Sequence, residues 1–404
     1  MPENLLKSRW KDLDSAELRI LLDERVGGPG QYDAAAGHPN KLYLPLARSS
    51  CRIALTFRNK RIFAIESGEA FDAAQWEQIS NEIENSILAG PMKVGREYSF
   101  SGRRVSGSWR RQRSGVQILP PPADAPRAPV EMADHPFILE FPLRSTDLWE
   151  VMNHRRIREH RRLTLLLNVL LAGGAKPLES RSQHFWAAVD SHQGYETKWV
   201  QKSFFAKLGP AVTDELSAPA AEQLEEVEPD EYYARVGHDG KGLRVPSDLD
   251  ESICSYAALS ALNREEFNRA TFWMGIASRM WDLSMSSSFA ALVSAIESLT
   301  ERGDVHPFTC PICSRPTQHE VPGATQRFRD FVDTFAPGAA LSNRRNEMYR
   351  LRSDILHGSD LIQMDEDRAF GWDPPWWNER ELYNELWGLT RIALRNWLKR
   401  PPAS

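Results

Sequence analysis

Residues 349–358 read Tyr349-Arg350-Leu351-Arg352-Ser353-Asp354-Ile355-Leu356-His357-Gly358. With Met348, Leu351 and Ile355 on one helical face, the stretch forms an amphipathic helix ended by a glycine. Packing accounts for the apolar positions and leaves Arg352 and His357 unexplained. Five residues apart, these two lie about 140° apart around a regular helix, so a single helix does not aim both at one atom. Two such helices crossing about a twofold axis would bring four basic side chains into one cleft. A cleft of that kind suits a phosphodiester. The guanidinium offers permanent charge and a fork of donors, and the imidazole exchanges a proton near neutral pH. The same residues also suit a salt-bridging arginine and a C-terminal histidine favoured by the helix dipole, and spacing alone does not separate the two readings.

Outward from this helix, residues 246–404 carry further helical periodicity. Helices are expected over Asp248–Leu262, Gln326–Phe335, Asn343–His357 and 376–398. The long periodic stretch Arg264–Arg302 reads as two helices or one bent helix, because Ser284 and Ser286–Ser288 weaken its middle. Short loops between amphipathic helices imply an antiparallel bundle.

In this setting the RSDILHG segment, with FAALVSAIESL (Phe289–Leu299) upstream, resembles the Arg-x4-His signature of HEPN domains, and the Apea-like branch in particular. The resemblance covers roughly residues 250 to 400. It implies a metal-independent endoribonuclease acting as a homodimer on RNA, with no cofactor for catalysis. It further implies a bacterial defence or toxin-type effector whose N-terminal sections answer a protein or phage trigger. Arg352 would then stabilise charge on the phosphate, and His357 would act as general base or acid. Ser353 takes the place where the family often has Asn, Asp or His. Glu297 is the candidate to orient Arg352, or is simply an exposed helix carboxylate. Some relatives of this fold only bind RNA or a protein partner, which remains the alternative.

The rest of the 404-residue chain reads differently. Arg52–Glu66 alternates apolar and polar residues on both sides of Asn59-Lys60, a hairpin pattern. Phe71–Leu88 is helical in spacing. A mixed α/β section is therefore expected over 1–116, and a Pro-rich linker over 117–131, where Gln117–Val130 holds five prolines. Residues 132–245 read as mostly helical. They open with strand-like HPFILEFPL, continue in a helix through Leu171, and end in an acid-rich connection at Glu222–Glu231 that reads as a solvated linker. The fold class is α+β: a mixed N-terminal section followed by a mainly helical bundle.

Two more constellations carry chemistry. His306 and His319 flank Cys310-Pro-Ile-Cys313, and a Cys-x2-Cys turn presents two thiolates to one tetrahedral Zn²⁺. A structural zinc with one or both histidines completing the set is one reading; a reduced, unliganded pair or a redox switch is the other. Arg103, Arg104, Arg110, Arg111 and Arg113 surround Trp109 with no acid between, and a second basic group spans His154–Arg162. Both suit RNA phosphates, with Trp109 available to stack, and both equally suit a solvated face.

Composition bounds these readings. With 41% hydrophobic residues, 13 Trp and 17 Phe, the chain is neither wholly disordered nor collagen-like. A net charge of −5 provides no global basic field, so any nucleic-acid contact must be local. Four cysteines exclude a disulfide scaffold and suit a reducing cytoplasm. The charged start lacks the apolar core of a signal peptide. The most apolar run, Leu163–Ala172, is about half a bilayer span. A cytoplasmic protein that spans no membrane is expected.

Overall fold

Apolar spacing at two periods, alternating and helical by turns before residue 145 and helical after 249, sets the order of elements in the computed structural model. It describes residues 4–7, 10, 14–26, 31–32, 40–45, 52–58, 61–68, 71–88, 90–123, 135–177, 184–191, 194–201, 210–234, 242–281, 283–301, 303–309, 314–337, 344–366 and 374–402. The chain divides into two compact units. The first comprises 1–95, 142–159 and 212–215, and the second comprises 96–141, 160–211 and 216–404.

The first unit begins with α1 (Ser15–Val26), β1 (Gln31–Tyr32), β2 (Lys41–Pro45), β3 (Arg52–Arg58), β4 (Arg61–Ser67) and α2 (Ala73–Leu88). The expected hairpin is β3–β4, part of an antiparallel sheet in the order β1-β2-β3-β4. Its Asn59-Lys60 turn lies outside the described residues. Leu44, Ile53, Leu55 and Ile65 pack with Leu18 and Leu22 of α1 and Ile79 and Ile83 of α2. Trp10 meets Trp76 edge to face at 5.9 Å, the arrangement ring quadrupoles favour.

The strands β5 (Met92–Ser101), β6 (Trp109–Arg110), β7 (Gln117–Leu119) and β8 (His135–Arg144) follow, then α3 (Trp149–Leu170). β5, β8, β7 and β6 lie side by side in that order, and β9 (Lys176–Pro177) pairs with β5. The first three residues of the expected linker, Gln117–Leu119, are therefore a buried strand. Thr146 Oγ1 accepts from Leu148 N–H at 3.3 Å ahead of α3. Gly174, at a φ of 63°, adopts the left-handed conformation after its end.

The middle section was expected to be mostly helical, and most of its remaining elements are strands. They are β10 (His184–Ser191), β11 (Gly194–Gln201), β12 (Val212–Thr213), β13 (Glu226–Val227) and β14 (Val245–Pro246), with one short helix, α4 (Pro229–Ala234). β10 and β11 form an eight-pair antiparallel hairpin, Trp186 opposite Trp199. Aromatic and β-branched residues at these positions favour a pleated ribbon over a helix.

The bundle contains α5 (Leu249–Ala258), α6 (Ala261–Met280), α7 (Met285–Glu297), α8 (Ala324–Phe335), α9 (Arg345–His357), α10 (Gln363–Glu366) and α11 (Pro374–Lys399). Between α7 and α8 rises an antiparallel ribbon of β15 (Asp304–Thr309) and β16 (Pro316–Val321). Arg264–Arg302 thus splits into α6 and α7, with Ser284 as the N-cap of α7 accepting from Ser287 N–H. The serines cap and pack the second helix instead of bending one long helix. The bundle is not separate from the sheet. Phe137, Leu139 and Phe141 of β8 and Leu166, Leu167 and Leu170 of α3 share one apolar cluster with Phe267, Phe289 and Trp397. The expected boundary at 245/246 falls inside that core.

Asp365 of α10 closes the N-terminus of α7. Its carboxylate accepts from Ser284 Oγ, Met285 N–H and Ser286 N–H, each at 2.8 Å. Burial pushes this carboxyl up, but the hydrogen bonds from Ser286, Ser284 and the backbone more than reverse it, and its pKa lies below the usual carboxylate value. A carboxyl held below its unfolded pKa stabilises the fold above roughly pH 4 and loses that contribution as pH falls through the folded value. Asp365→Asn is expected to cost about 1 kcal/mol at neutral pH. The difference from the parent should close in urea titrations carried out well below pH ~4; a gap independent of pH would exclude the carboxylate as its source.

Candidate active site

Glu297 is the last residue of α7, where the helix dipole disfavours a negative charge. Two residues of α9 compensate. Tyr349 and Arg352 are one turn apart and so share a face. Glu297 Oε1 accepts from the Tyr349 hydroxyl at 2.9 Å, and Oε2 accepts from Arg352 Nη2 at 2.7 Å. The guanidinium of Arg352 also lies over the Tyr349 ring, 5.5 Å from its centre. Its Nε–H is buried and has no partner. Burial raises the Tyr349 phenol above its ordinary pKa, and the Glu297 carboxylate adds to the effect. The phenol is therefore a donor at neutral pH.

Met348 and Leu351 are buried against the bundle, and Ile355 packs on it. This anchors α9 so that Arg352 reaches α7. The helix ends at Gly358, whose φ of 70° is the left-handed cap. Gly358 N–H donates to Ile355 at 3.1 Å, and Ser359 N–H donates to Asp354 at 3.0 Å. His357, the final helical residue, is exposed, and Ser353 is half-buried. The candidate orienting contact between Glu297 and Arg352 is thus made, while Arg352 and His357 point to different sides of α9, as their angular separation requires. Beside Glu297 a cleft of about 830 Å³ is lined by Glu266, Arg269, Glu301, Glu320 and Arg327.

The arginine group around Trp109 differs from expectation. Trp109 is 3% exposed and donates from Nε1 to Glu226 at 3.2 Å, so it is a core residue and not a stacking platform. Arg111 pairs with Glu226. Arg104, Arg110 and Arg113 are exposed, and Arg103 is half-buried. The acid-rich run is likewise no solvated linker. Ser108 N–H donates to Glu222 and Leu224 N–H to Ser108, both at 2.9 Å, while Leu224 and Val227 are buried. One of its carboxylates, Glu226, pairs with Arg111 of the basic group. In the second basic group, Arg155 and Arg158 bond the buried Glu17 at 2.7 and 3.1 Å, and His160 lies 2.8 Å from Ser99 Oγ.

His306 and His319 are directly opposite each other in the β15–β16 ladder, three pairs short of its end at Thr309 and Pro316. Strand geometry makes that offset about 10 Å. Cys310 and Cys313 lie outside the described residues. Among the described residues no group of three or more His, Cys, Asp and Glu is arranged to hold a metal ion.

Tyr349 and Arg327 were not singled out in the sequence. Tyr349 stands inside the decisive stretch, one turn before Arg352, and helical spacing alone would have marked it. Tyr349→Phe is expected to lower stability by about 1.5 kcal/mol, the cost of losing a hydrogen bond to a carboxylate. Guanidinium unfolding of the two proteins measures it, and an unchanged midpoint would mean that this bond contributes nothing. No protein-family model, no curated protein and no solved structure matches this chain, so the geometry of the site itself carries its functional reading.

Proposed function

We propose that the chain is a metal-independent endoribonuclease of the HEPN type. The observation that carries this reading is the Arg352 guanidinium, oriented by Glu297 through Nη2 and holding a buried, unpartnered Nε–H. Such a group is ready to donate to a phosphoryl oxygen without first being ordered. His357 takes the proton of the ribose 2′-hydroxyl, the 2′-oxygen attacks phosphorus, and the 5′-oxygen leaves with a proton from the second histidine of a twofold pair. The products are a 2′,3′-cyclic phosphate and a 5′-hydroxyl. Arg352 stabilises the charge that builds on the non-bridging oxygens.

The active form is a homodimer, because one α9 does not bring its own Arg352 and His357 together. Exposed Leu283 (71%), Leu356 (55%) and Leu361 (42%) are apolar side chains that such an interface would cover. Leu283 and Leu361 flank the Asp365 cap, and Leu356 precedes His357. Cys310 and Cys313 hold a structural zinc that takes no part in cleavage. Among the described residues no helix is long and apolar enough to cross a membrane. We place the enzyme in the cytoplasm as a defence or toxin-type effector whose first unit answers a protein or phage trigger.

A second reading is favoured by one observation: Glu297 occupies Arg352 in the single chain. A module that only binds RNA or a protein partner would keep that pair closed. Cleavage separates the two. The purified chain should cut single-stranded RNA in EDTA and sediment as a dimer, and Arg352→Ala or His357→Ala should each slow cutting about 100-fold or more. Full cleavage by both variants would remove these residues from the mechanism, and saturable binding without product would favour the binding module.

A further inference from the structure

The nuclease reading supplies one guanidinium for the scissile phosphate, Arg352 on Glu297, and the cleft that Glu297 borders adds Arg327 and Arg269 among the carboxylates of Glu266, Glu301 and Glu320. Arg327 sits in the first turn of α8, on the cleft wall that includes Glu297. Phe328, its neighbour, packs on the Tyr349 ring at 5.5 Å. The charge of Arg327 acts on the same Tyr349 hydroxyl that Glu297 and Arg352 surround. Arg352 on α9 is bonded to Glu297, and Arg327 on α8, bonded to Glu320, is near enough for its charge to be felt at the Tyr349 hydroxyl.

Their hydrogen bonding is alike. Arg327 uses Nη1 for Glu320 and for Pro322 O at 3.1 Å, while its Nε–H is buried without a partner. Arg352 uses Nη2 for Glu297 and leaves Nε–H in the same condition. A buried donor without an acceptor is costly, and a salt bridge alone does not relieve it here. A phosphate is the acceptor that matches an arginine edge, because two of its oxygens accept from Nε–H and Nη–H together. Glu320, on the last turns of the β15–β16 ribbon, is more than one-third exposed and can be released to solvent when an anion arrives.

We propose that Arg327 is a second phosphate-contacting residue of this site. It takes the phosphodiester next to the one held by Arg352 on a single RNA strand, and Glu320 holds it in place until RNA binds. The assignment rests on the nuclease reading and extends it from one phosphate to two.

The test uses the full-length chain carrying His357→Ala, so that RNA is bound and not cut, with a single-stranded RNA oligonucleotide as the probe. Affinity is measured over a series of salt concentrations. Adding Arg327→Ala should weaken binding on the order of tenfold. It should also reduce the slope of log affinity against log salt by about 0.7, the loss of one phosphate contact on a single strand. Arg327→Lys should retain the slope while losing affinity, and Glu320→Gln should bind RNA more tightly than its parent. An Arg327→Ala protein that melts at a lower temperature but keeps both affinity and slope would make Arg327 a structural tie and overturn the proposal. RNA binding that is unchanged by Glu320→Gln would overturn the holding role of that carboxylate. Failure of the chain with intact Arg327 and Arg352 to bind any RNA would overturn the nuclease reading and this proposal together.

Discussion

The burial of α7 is the constraint on which the second unit depends. Phe289, Leu292, Val293, Ala295 and Ile296 are all without meaningful solvent exposure, and α6, α8, α9, α10 and α11 each pack against this one helix. A helix surrounded on all sides has to be apolar nearly all round, and Phe-Ala-Ala-Leu-Val-Ser-Ala-Ile satisfies that with small residues between large ones. Its polar side chains are used up internally. Ser288 donates to Ala277 O at 2.8 Å and lies 2.8 Å from the Tyr383 hydroxyl, and Ser286 accepts from Ile362 N–H at 2.8 Å. Both ends of the helix are then fixed by carboxylates of opposite consequence. Asp365 meets the N-terminus, where the dipole welcomes it, and Glu297 stands at the C-terminus, where it needs Arg352 and Tyr349.

That asymmetry gives the candidate site its character. A carboxylate placed against the dipole is unfavourable unless nearby donors offset the dipole, and the donors found are the arginine and phenol of α9. The arginine is consequently ordered by Glu297 in the single chain, which would lower the entropy lost on binding an anion. The ribbon between α7 and α8 adds Glu320 and brings Arg327 to the same cleft. The ribbon thereby becomes part of the wall of the cleft, and Glu297 and His357 sit where helices stop, with Arg352 within α9.

Charge elsewhere is mostly spent on the fold. Glu140 is fully buried and accepts from Arg96 Nε at 2.7 Å, Gln117 Nε2 at 3.2 Å, and Ser217 N–H and Oγ at 2.9 and 2.6 Å. A buried carboxylate is tolerable when its lone pairs are filled in this way. Asp248 is filled only on one side: Oδ2 accepts from Arg395 and Lys399 at 2.6 and 2.5 Å, while its buried Oδ1 has no partner. The Arg395 guanidinium also lies over the Tyr233 ring at 4.4 Å. The two runs of like charge in the sequence, Arg103–Arg113 and Glu222–Glu231, meet through Arg111 and Glu226, which a one-dimensional reading sees only as two separate blocks.

Local pattern by itself determined most of the elements. The β3–β4 hairpin, the β8 strand, α2, α3, the helices from α5 to α9, and α11 all follow from apolar periodicity, and the Gly358 cap follows from the steric freedom of glycine at positive φ. Glu297 could be named beside Arg352 because each sits at a recognisable place on an amphipathic helix. What tertiary structure decided was everything that depends on pairing across distance. It gave the buried Trp109 a partner in the exposed Glu226, 117 residues away, set β7 into a sheet where prolines suggested a linker, and joined β8 and α3 to the bundle in one core. It also brought Arg327 to Tyr349. Periodicity tells which face of an element is buried, but the identity of the surface that buries it is a property of the packed chain, and Arg327 acquires its role only from that packing.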